Sequence, residues 1–465
     1  MVEADAEVVW SAFVAVVSVL ARRARLAGLS IGAMAGSVSV DESVFVDASG
    51  RPLGLVIMAP DTRTSGAMWT WLERDSYQWL YGVTGLPRYP SHALPRLLWL
   101  RRRRPRQFAK VAGVWDWAAF IVARLGLPAT TDPSVAARTM AWDIRAGTWS
   151  RAVLDAAELG EHLFPRVVPT GAVIGRLPSG VAHGLGLPAE VTMVAGGMDQ
   201  WLAAVGTGAT NPAQALVNTG TWEAITAPLD HYPAAAEELR ASGISIGPFV
   251  TPARYAAMAS QIGGGALANW FREVFAPRQT LARLVRSVPD RPTGLLVLPH
   301  MEGSLSPWMD PASRGTISGF GLDTDRRTLL RGFMEGATFE LRENLSRIEA
   351  SGLRVTDIRA SGGGARSLMW LQLKADVLGR PVAAVDVSEN AAFGAALIAG
   401  GAVGLLPPIA TSSRDLVRPP HIYEPRAALT AAYDELFMRY QQLYPGLLAL
   451  RRHSPPREVN RAGDG

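Results

Sequence analysis

Asp199 follows Gly196-Gly197-Met198, directly after the apolar run Val191-Thr192-Met193-Val194-Ala195. A carboxylate at the end of a buried strand can take the proton from an attacking hydroxyl, the part a general base plays in phosphoryl transfer. Asp is also a favoured helix N-cap, so the same residue reads equally as the start of a short helix. Thr219-Gly220-Thr221 stands between two strand-like runs. Such a turn holds a phosphate on free N–H groups and a hydroxyl, or it merely reverses the chain. Ser361-Gly362-Gly363-Gly364-Ala365-Arg366-Ser367 joins the alternating run 355–359 to a helix with Leu368, Leu371, Ala375 and Leu378 on one face. Glycines there let backbone approach a ligand closely, and the helix N-terminus presents N–H groups and a positive dipole end to an anion. A plain connector has the same composition. Gln261-Ile262-Gly263-Gly264-Gly265 leads into a further helix, 267–274. Asp61 and Arg63, just past a strand, suit either polyol hydroxyls or a surface turn.

These residues need elements to hold them. In the first half the pattern predicts a helix at 8–21 and a strand at 29–36. A strand–turn–strand follows over 43–58, turning at Ser49-Gly50, and then helices at 66–81, 93–103, 115–125 and 151–157. Pro165, Pro169, Pro178 and Pro188 interrupt the pattern, which places a boundary at 189. The second half reads as a strand 191–195, a helix 201–205, a hairpin 215–225, a helix 330–348, a strand 382–387 and a small-residue helix 390–399 capped by Ser388. The expected organisation is a first domain 1–189, a second domain 190–446 and a disordered tail 447–465. Alternating strands and helices make this an α/β protein with ligands gathered at strand ends.

Composition removes several function classes. The 465 residues are 48% hydrophobic and 19% charged, enough for two or three domains with proper cores. With no cysteine, disulfides, thiolate metal sites and cysteine nucleophiles are excluded. The net charge is +5. Part of it lies in the run 101–104 and in Arg451, Arg452, Arg457 and Arg461, without interleaved aromatics, so it reads as solvated charge and nucleic acid is not an expected partner. The apolar run 8–21 is too short for a bilayer, and Glu3, Asp5 and Glu7 are the wrong flank for a secretory signal. A cytoplasmic location with no membrane partner is expected. The seven histidines lack ligand spacing, so no metal site built from protein side chains is expected.

Taken in order, Gly196-Gly197-Met198-Asp199-Gln200, Asn218-Thr219-Gly220-Thr221-Trp222 and Ser361-Gly362-Gly363-Gly364-Ala365-Arg366-Ser367 resemble the FGGY carbohydrate kinases, in particular the xylulokinase-like branch. The segment from Trp370 to Val382 and Glu389-Asn390-Ala391-Ala392-Phe393-Gly394 match that family's C-terminal signature. The resemblance extends from about residue 7 to about residue 445. It implies a two-domain actin-like ATPase (ribonuclease H-like) fold, with the first domain truncated at its N-terminus, closing on ATP, Mg²⁺ and a small sugar or polyol. A homodimer is compatible with it. Carried over position by position, Asp199 is the implied catalytic base. Gly220, Thr221, Gly265, Gly363, Gly364 and Ser367 are the implied nucleotide contacts, and Ser39, Asp61 and Arg63 the substrate contacts.

Three departures accompany the resemblance. The family's opening Asp-x-Gly-Thr strand has no counterpart, because the chain starts at what corresponds to the first helix. Two expectations follow: a longer natural N-terminus, favoured by the intact remainder, or a truncated kinase that binds nucleotide or sugar but catalyses poorly. Gly36-Ser37-Val38-Ser39-Val40 replaces the Gly-Gln-Met-His-Gly that meets the sugar in xylulokinases. Met198 and Leu305 stand where many relatives carry His and Arg.

Overall fold

Two sheets organise the chain, and a pair of helices joins them. The computed structural model describes residues 2–452 except 60, 62, 65–75, 90, 252–253, 410–412, 414–415 and 418–420. Helix α1 (Ala6–Leu26) starts at Asp5, whose carboxylate accepts the Glu7 N–H. Glu7 in its first turn and Arg23 and Arg25 in its last complement the helix dipole, so α1 runs past both limits expected from its apolar stretch. Strand β1 (Ala33–Val38), β2 (Val173–Arg176) and β3 (Thr192–Met198) form the first sheet in the order β2-β3-β1, with β1 and β3 parallel. Helix α2 (Asp199–Gly206) leaves the end of β3 directly.

The second sheet is mixed and seven-stranded. It comprises β4 (Gln214–Thr219), β5 (Glu223–Leu229), β6 (Ser245–Pro248), β7 (Tyr255–Gln261), β8 (Asp357–Ser361), β9 (Val382–Ala384) and β10 (His421–Tyr423), in the order β6-β7-β5-β4-β8-β9-β10. The hairpin-linked part is antiparallel, whereas β4, β8 and β9 are parallel, as strands reached by helical crossovers must be. Helix α3 (Gly265–Phe275) follows β7, α4 (Arg326–Glu349) precedes β8, α5 (Leu368–Leu378) lies between β8 and β9, and α6 (Asn390–Ala402) follows β9. Ala215, Val217, Ile225, Ile358 and Val382 of the sheet pack with Leu341, Leu345 and Leu371 of α4 and α5 in one core.

Helices α2 and α6 make the joint. A second core gathers Trp201, Leu202 and Val205 of α2 with Ala395, Leu397 and Ile398 of α6, Val194 and Met198 of β3, and Leu216 of β4. The helices cross at backbone contact. A Cβ on Gly206 would overlap the Asn390 carbonyl, and one on Gly394 would overlap the Leu202 carbonyl.

The structure departs from the sequence expectations at five places. The turn at 47–51 is present, its amides held by the Asp47 carboxylate. The returning strand does not continue the hairpin: Val44–Val46 pairs with Gly113–Trp115, while Val56–Ile57 pairs with Glu3–Ala4. Local alternation shows a strand but not its partner. Of the expected helix 66–81, residues 66–75 lie outside the described residues, and a helix spans Ser76–Thr84. Ser388 is not the cap of α6. Glu389 holds that position, with no side-chain hydrogen bond to the helix. The strand after the expected boundary at 189, β3, belongs to the first sheet, because it pairs with β1. Finally, a helix covers Leu443–Arg452, past the expected start of the tail at 447. Among the described residues no helix is long and apolar enough to cross a membrane.

Replacing Gly394 by valine should force α2 and α6 apart and destabilise the protein by about 1–3 kcal/mol, as overpacking of a close contact does. The check is the denaturation midpoint, compared with Gly82→Ala, a helical position where no neighbour lies within 4 Å of an added Cβ.

Candidate active site

Asp199 is the first residue of α2, not its cap; Met198 occupies the cap position with extended dihedrals. The Asp199 carboxylate accepts the neighbouring Gln200 N–H at 2.7 Å. Burial pushes its pKa up to about 6, partly opposed by that hydrogen bond; the Asp41 carboxylate raises it further and the Arg138 guanidinium lowers it. The two glycines before it are required by close packing. A Cβ on Gly196 would overlap the Gly36 carbonyl, and one on Gly197 would lie 2.9 Å from Val250 Cγ1 and 3.0 Å from Ser134 Oγ. They allow β1 and β3 to pass closely where their register shifts between Val194 and Gly197. The approach to Asp199 is set from another side. Ser134 Oγ accepts the Met198 N–H (2.9 Å) and donates to Asp132 Oδ1 (3.0 Å). Asp132 also accepts from Thr170 Oγ1 and Val135 N. Burial pushes its carboxyl up to about 6.

A cluster of ionisable groups follows β1. Asp41, held at φ 72°, accepts from Arg138 Nε (3.2 Å) and Nη2 (2.7 Å), and its Oδ1 lies 2.9 Å from His92 Nδ1. Burial works to raise the Asp41 pKa, but Arg138 and His92 outweigh it and hold it well below the carboxylate range. Next to it, burial and the Asp41 charge push Glu42 up to about 7, while Ser39 Oγ donates to it at 3.0 Å. Such a set of donors and acceptors suits hydroxyl groups. A cleft of about 620 Å³ opens beside Ser39 and Gly197, but Val9, Phe13, Val17, Met34 and Ile121 make much of its wall. Ser37, Ser39, Thr131 and Asp132 are polar groups on that wall, whereas the cavity beside Asp41, Glu42 and Arg138 is only about 10 Å³, room for one water.

The glycine turns assemble near the same end of α2, its N-terminus. Asn218 bridges them: its Nδ2 donates to Gln200 Oε1, and its Oδ1 accepts from Ser361 Oγ, both at 3.4 Å. The Gly220 N–H is used inside its own turn, on the Trp222 carbonyl (2.9 Å). The Gly265 N–H donates to the Gly220 carbonyl (2.7 Å) and the Ala266 N–H to the Thr221 carbonyl (3.0 Å). These amides therefore fasten the hairpin to the start of α3 and are not free for a phosphate. Ser367 Oγ likewise caps α5, accepting the Trp370 N–H at 3.3 Å. Open backbone remains at Gly363, where an added Cβ meets nothing within 4 Å, and at the start of α5. Gly362 at φ 83° needs the left-handed region, and its Cβ would lie 2.7 Å from the Thr219 carbonyl. This cradle fits a nucleotide's phosphates. A divalent cation would rest chiefly on phosphate oxygens, since among the described residues no group of three His, Asp or Glu is placed for a metal.

The structure thus brings Asp199, Gly220, Thr221, Gly265, Gly363, Gly364 and Ser367 together around the ends of β4 and β8. Ser39 joins the polar cluster. Asp61 and Arg63 are taken up by each other: Arg63 donates to Asp61 from Nε (2.9 Å) and Nη2 (2.6 Å), and to Glu3 from Nη1. They also brace the chain's start, and their charges act on Arg96 together with those of Asp41 and Glu42, beside the polar cluster. Sequence reasoning missed Asp41, Glu42, His92 and Arg138, which carry no local motif, and it quoted Asn218 within its motif without assigning it a role. Asp41-Glu42, an acidic pair directly after an apolar strand, was the one available signal.

A stability consequence follows from Asp199. The folded state binds its proton more tightly than the unfolded chain, so ionisation costs the native state as pH rises from about 4 to about 6. Asp199→Asn should therefore be more stable than the natural protein above pH 6, by up to about 2 kcal/mol, and nearly equal to it at pH 4. Thermal denaturation at the two pH values checks the sign.

Comparisons with known proteins agree with this geometry. Residues 1–206 match the N-terminal domain, and residues 215–403 the C-terminal domain, of the FGGY family of carbohydrate kinases. A xylulose kinase of Bacillus subtilis is 26% identical over 86% of this chain and 80% of its own length. An L-fuculokinase of Salmonella typhi is 30% identical over 78% and 76%. Among solved structures, a "xyloylose kinase" from Brucella ovis superposes with a TM-score of 0.82 at 28% identity, covering 90% of this chain and 86% of that one. A ligand-bound xylulose kinase from Lactobacillus acidophilus gives 0.88 at 22% identity, covering 96% and 90%, a likeness of fold. The fold is the two-domain actin-like one that the motifs implied. With both of its domains matched in order, the chain belongs to the FGGY family of carbohydrate kinases.

Proposed function

We propose that this carbohydrate kinase transfers the γ-phosphoryl group of ATP, with Mg²⁺, to a hydroxyl of a sugar or polyol, in the manner of a xylulokinase. The observation that carries the proposal is the place of Asp199. It stands at the start of α2 between the polar cluster at Asp41 and Arg138 and the glycine turns tied to Gln200 through Asn218. Asp199 takes the acceptor proton as the hydroxyl oxygen bonds to phosphorus and the bond to ADP breaks. With a pKa raised to about 6, the carboxylate is ionised at neutral pH yet more basic than an exposed one. Bound nucleotide and Mg²⁺ supply the transferable phosphoryl group and neutralise the charge that develops on it. Gly363 and the N-terminus of α5 would hold the phosphates. Ser39 on the cleft wall, held by Glu42 behind it, would orient acceptor hydroxyls. The names of the relatives point to small sugars as acceptors; Ser37-Val38-Ser39 sets this chain's acceptor contacts apart from those of xylulokinases. The two-lobed arrangement closes around both substrates and excludes water.

Asp199→Asn should reduce sugar-dependent ADP release by about 10²-fold or more while ATP binding persists; normal turnover would leave Asp199 as a helix residue only. Wild-type kcat should fall as pH drops through about 6, because the base becomes protonated. Arg138→Ala removes a cation that lowers the Asp199 pKa and frees Asp41, which raises it, so the acid limb of the pH profile should move upward. A panel of ketoses and polyols, scored by ADP release, identifies the acceptor.

A further inference from the structure

Under the hairpin turn that follows Thr219 lies a fully buried ion pair that the reaction does not use directly. Thr219, Glu223 and Gln261 stand in register across three neighbouring strands, each 1% exposed. Lys374 of α5, also 1% exposed, reaches them from above the sheet. Its Nζ donates to Glu223 Oε1 and to Thr219 Oγ1 (3.1 Å), and it lies 5.3 Å from the centroid of the Trp370 ring. Thr219 Oγ1 donates to Glu223 Oε1 (2.6 Å), and Gln261 Nε2 to Glu223 Oε2 (3.0 Å) and the Ala337 carbonyl (2.7 Å). Asn344 Nδ2 closes the network on Gln261 Oε1 (3.2 Å). Four elements, β4, β5, β7 and α5, therefore meet at one carboxylate, and α4 joins them through Gln261.

A buried ion pair is a poor way to gain stability, since apolar residues of equal volume do as well or better. What it secures here is the direction of Thr219. A Cβ on Gly364 would overlap Thr219 Cγ2, and one on Gly362 would lie 2.7 Å from the Thr219 carbonyl. Thr219 is thus the contact between the hairpin turn and the glycine turn, and the Gly220 carbonyl beside it receives the start of α3.

We infer that Lys374 and Glu223 are positioning residues for the nucleotide: through Thr219 they fix the spacing of the hairpin, the glycine turn and the start of α3. The inference rests on the nucleotide reading of those turns. The test is the double substitution Glu223→Gln/Lys374→Met, which removes both charges together and leaves neither buried alone. It should unfold cooperatively near the wild-type midpoint and bind ATP·Mg²⁺ about tenfold more weakly, with acceptor KM changed less than about twofold. A folded double variant with wild-type ATP affinity overturns the inference. Should the double variant not fold, Thr219→Val decides. It keeps the ion pair and the methyl contact with Gly364 but loses the hydroxyl; weakened ATP binding supports the inference, and unchanged binding overturns it. Gly363→Val separates the two readings. If wild-type protein binds no ATP, or Gly363→Val binds it equally well, the nucleotide reading fails and the inference with it. If Gly363→Val loses ATP while Thr219→Val and the double variant keep it, only the inference fails.

Discussion

The crossing of α2 and α6 is the contact on which the site depends. Where Gly206 meets the Asn390 carbonyl and Gly394 meets the Leu202 carbonyl, two helices approach until backbone touches backbone. The gain is geometric as well as energetic. Helix α2 begins with Asp199, and its partner α6 packs on β1 and β3 of the first sheet, while Trp201, Leu202 and Val205 share a core with Leu216 of the second. The proposed base is therefore seated on the element both sheets hold in common, and any change in their relation moves it. A loop-borne carboxylate would lack this support.

Charge is distributed to match that position. Burial alone would make Asp199 a weak acid and a poor anion; the Gln200 N–H limits the rise most, while Asp41 adds to it and Arg138 subtracts from it. Arg138 is itself committed to Asp41, and Asp41 to His92, so the local field comes from a rigid cluster rather than one mobile cation. Glu42, pushed up to about 7, is the adjustable member, close to half protonated at neutral pH and able to donate or accept toward a hydroxyl.

At the nucleotide end the hydrogen bonds run contrary to simple motif reading. Glycine turns are read as free amides awaiting a phosphate, yet Gly220 spends its own inside its turn and Gly265 spends its on the Gly220 carbonyl. Their glycines are needed for packing: a Cβ on Gly264 would sit 2.6 Å from the Gly220 carbonyl. Only the exposed Gly363 corner combines open space with a helix start. The other turns act as its frame, braced from below by Glu223 and Lys374.

From the order of residues alone came the α/β class, most elements to within a turn, the principal glycine turns, Asp199 and the family resemblance. These are local: periodicity, caps and turn chemistry act over a few residues, and motif order survives in the linear chain. Helix 93–103, predicted from apolar spacing, spans Ala93–Arg103 in the structure. What only tertiary structure decided is which groups face one another. Val44–Val46 found Gly113–Trp115 rather than its neighbour, and β3 joined the first sheet across the expected boundary. Asp41, His92 and Arg138 converged from distant positions. Pairing of strands and ions is settled by long-range packing, which compares surfaces brought together only in the folded chain, and no stretch of residues carries that comparison within itself.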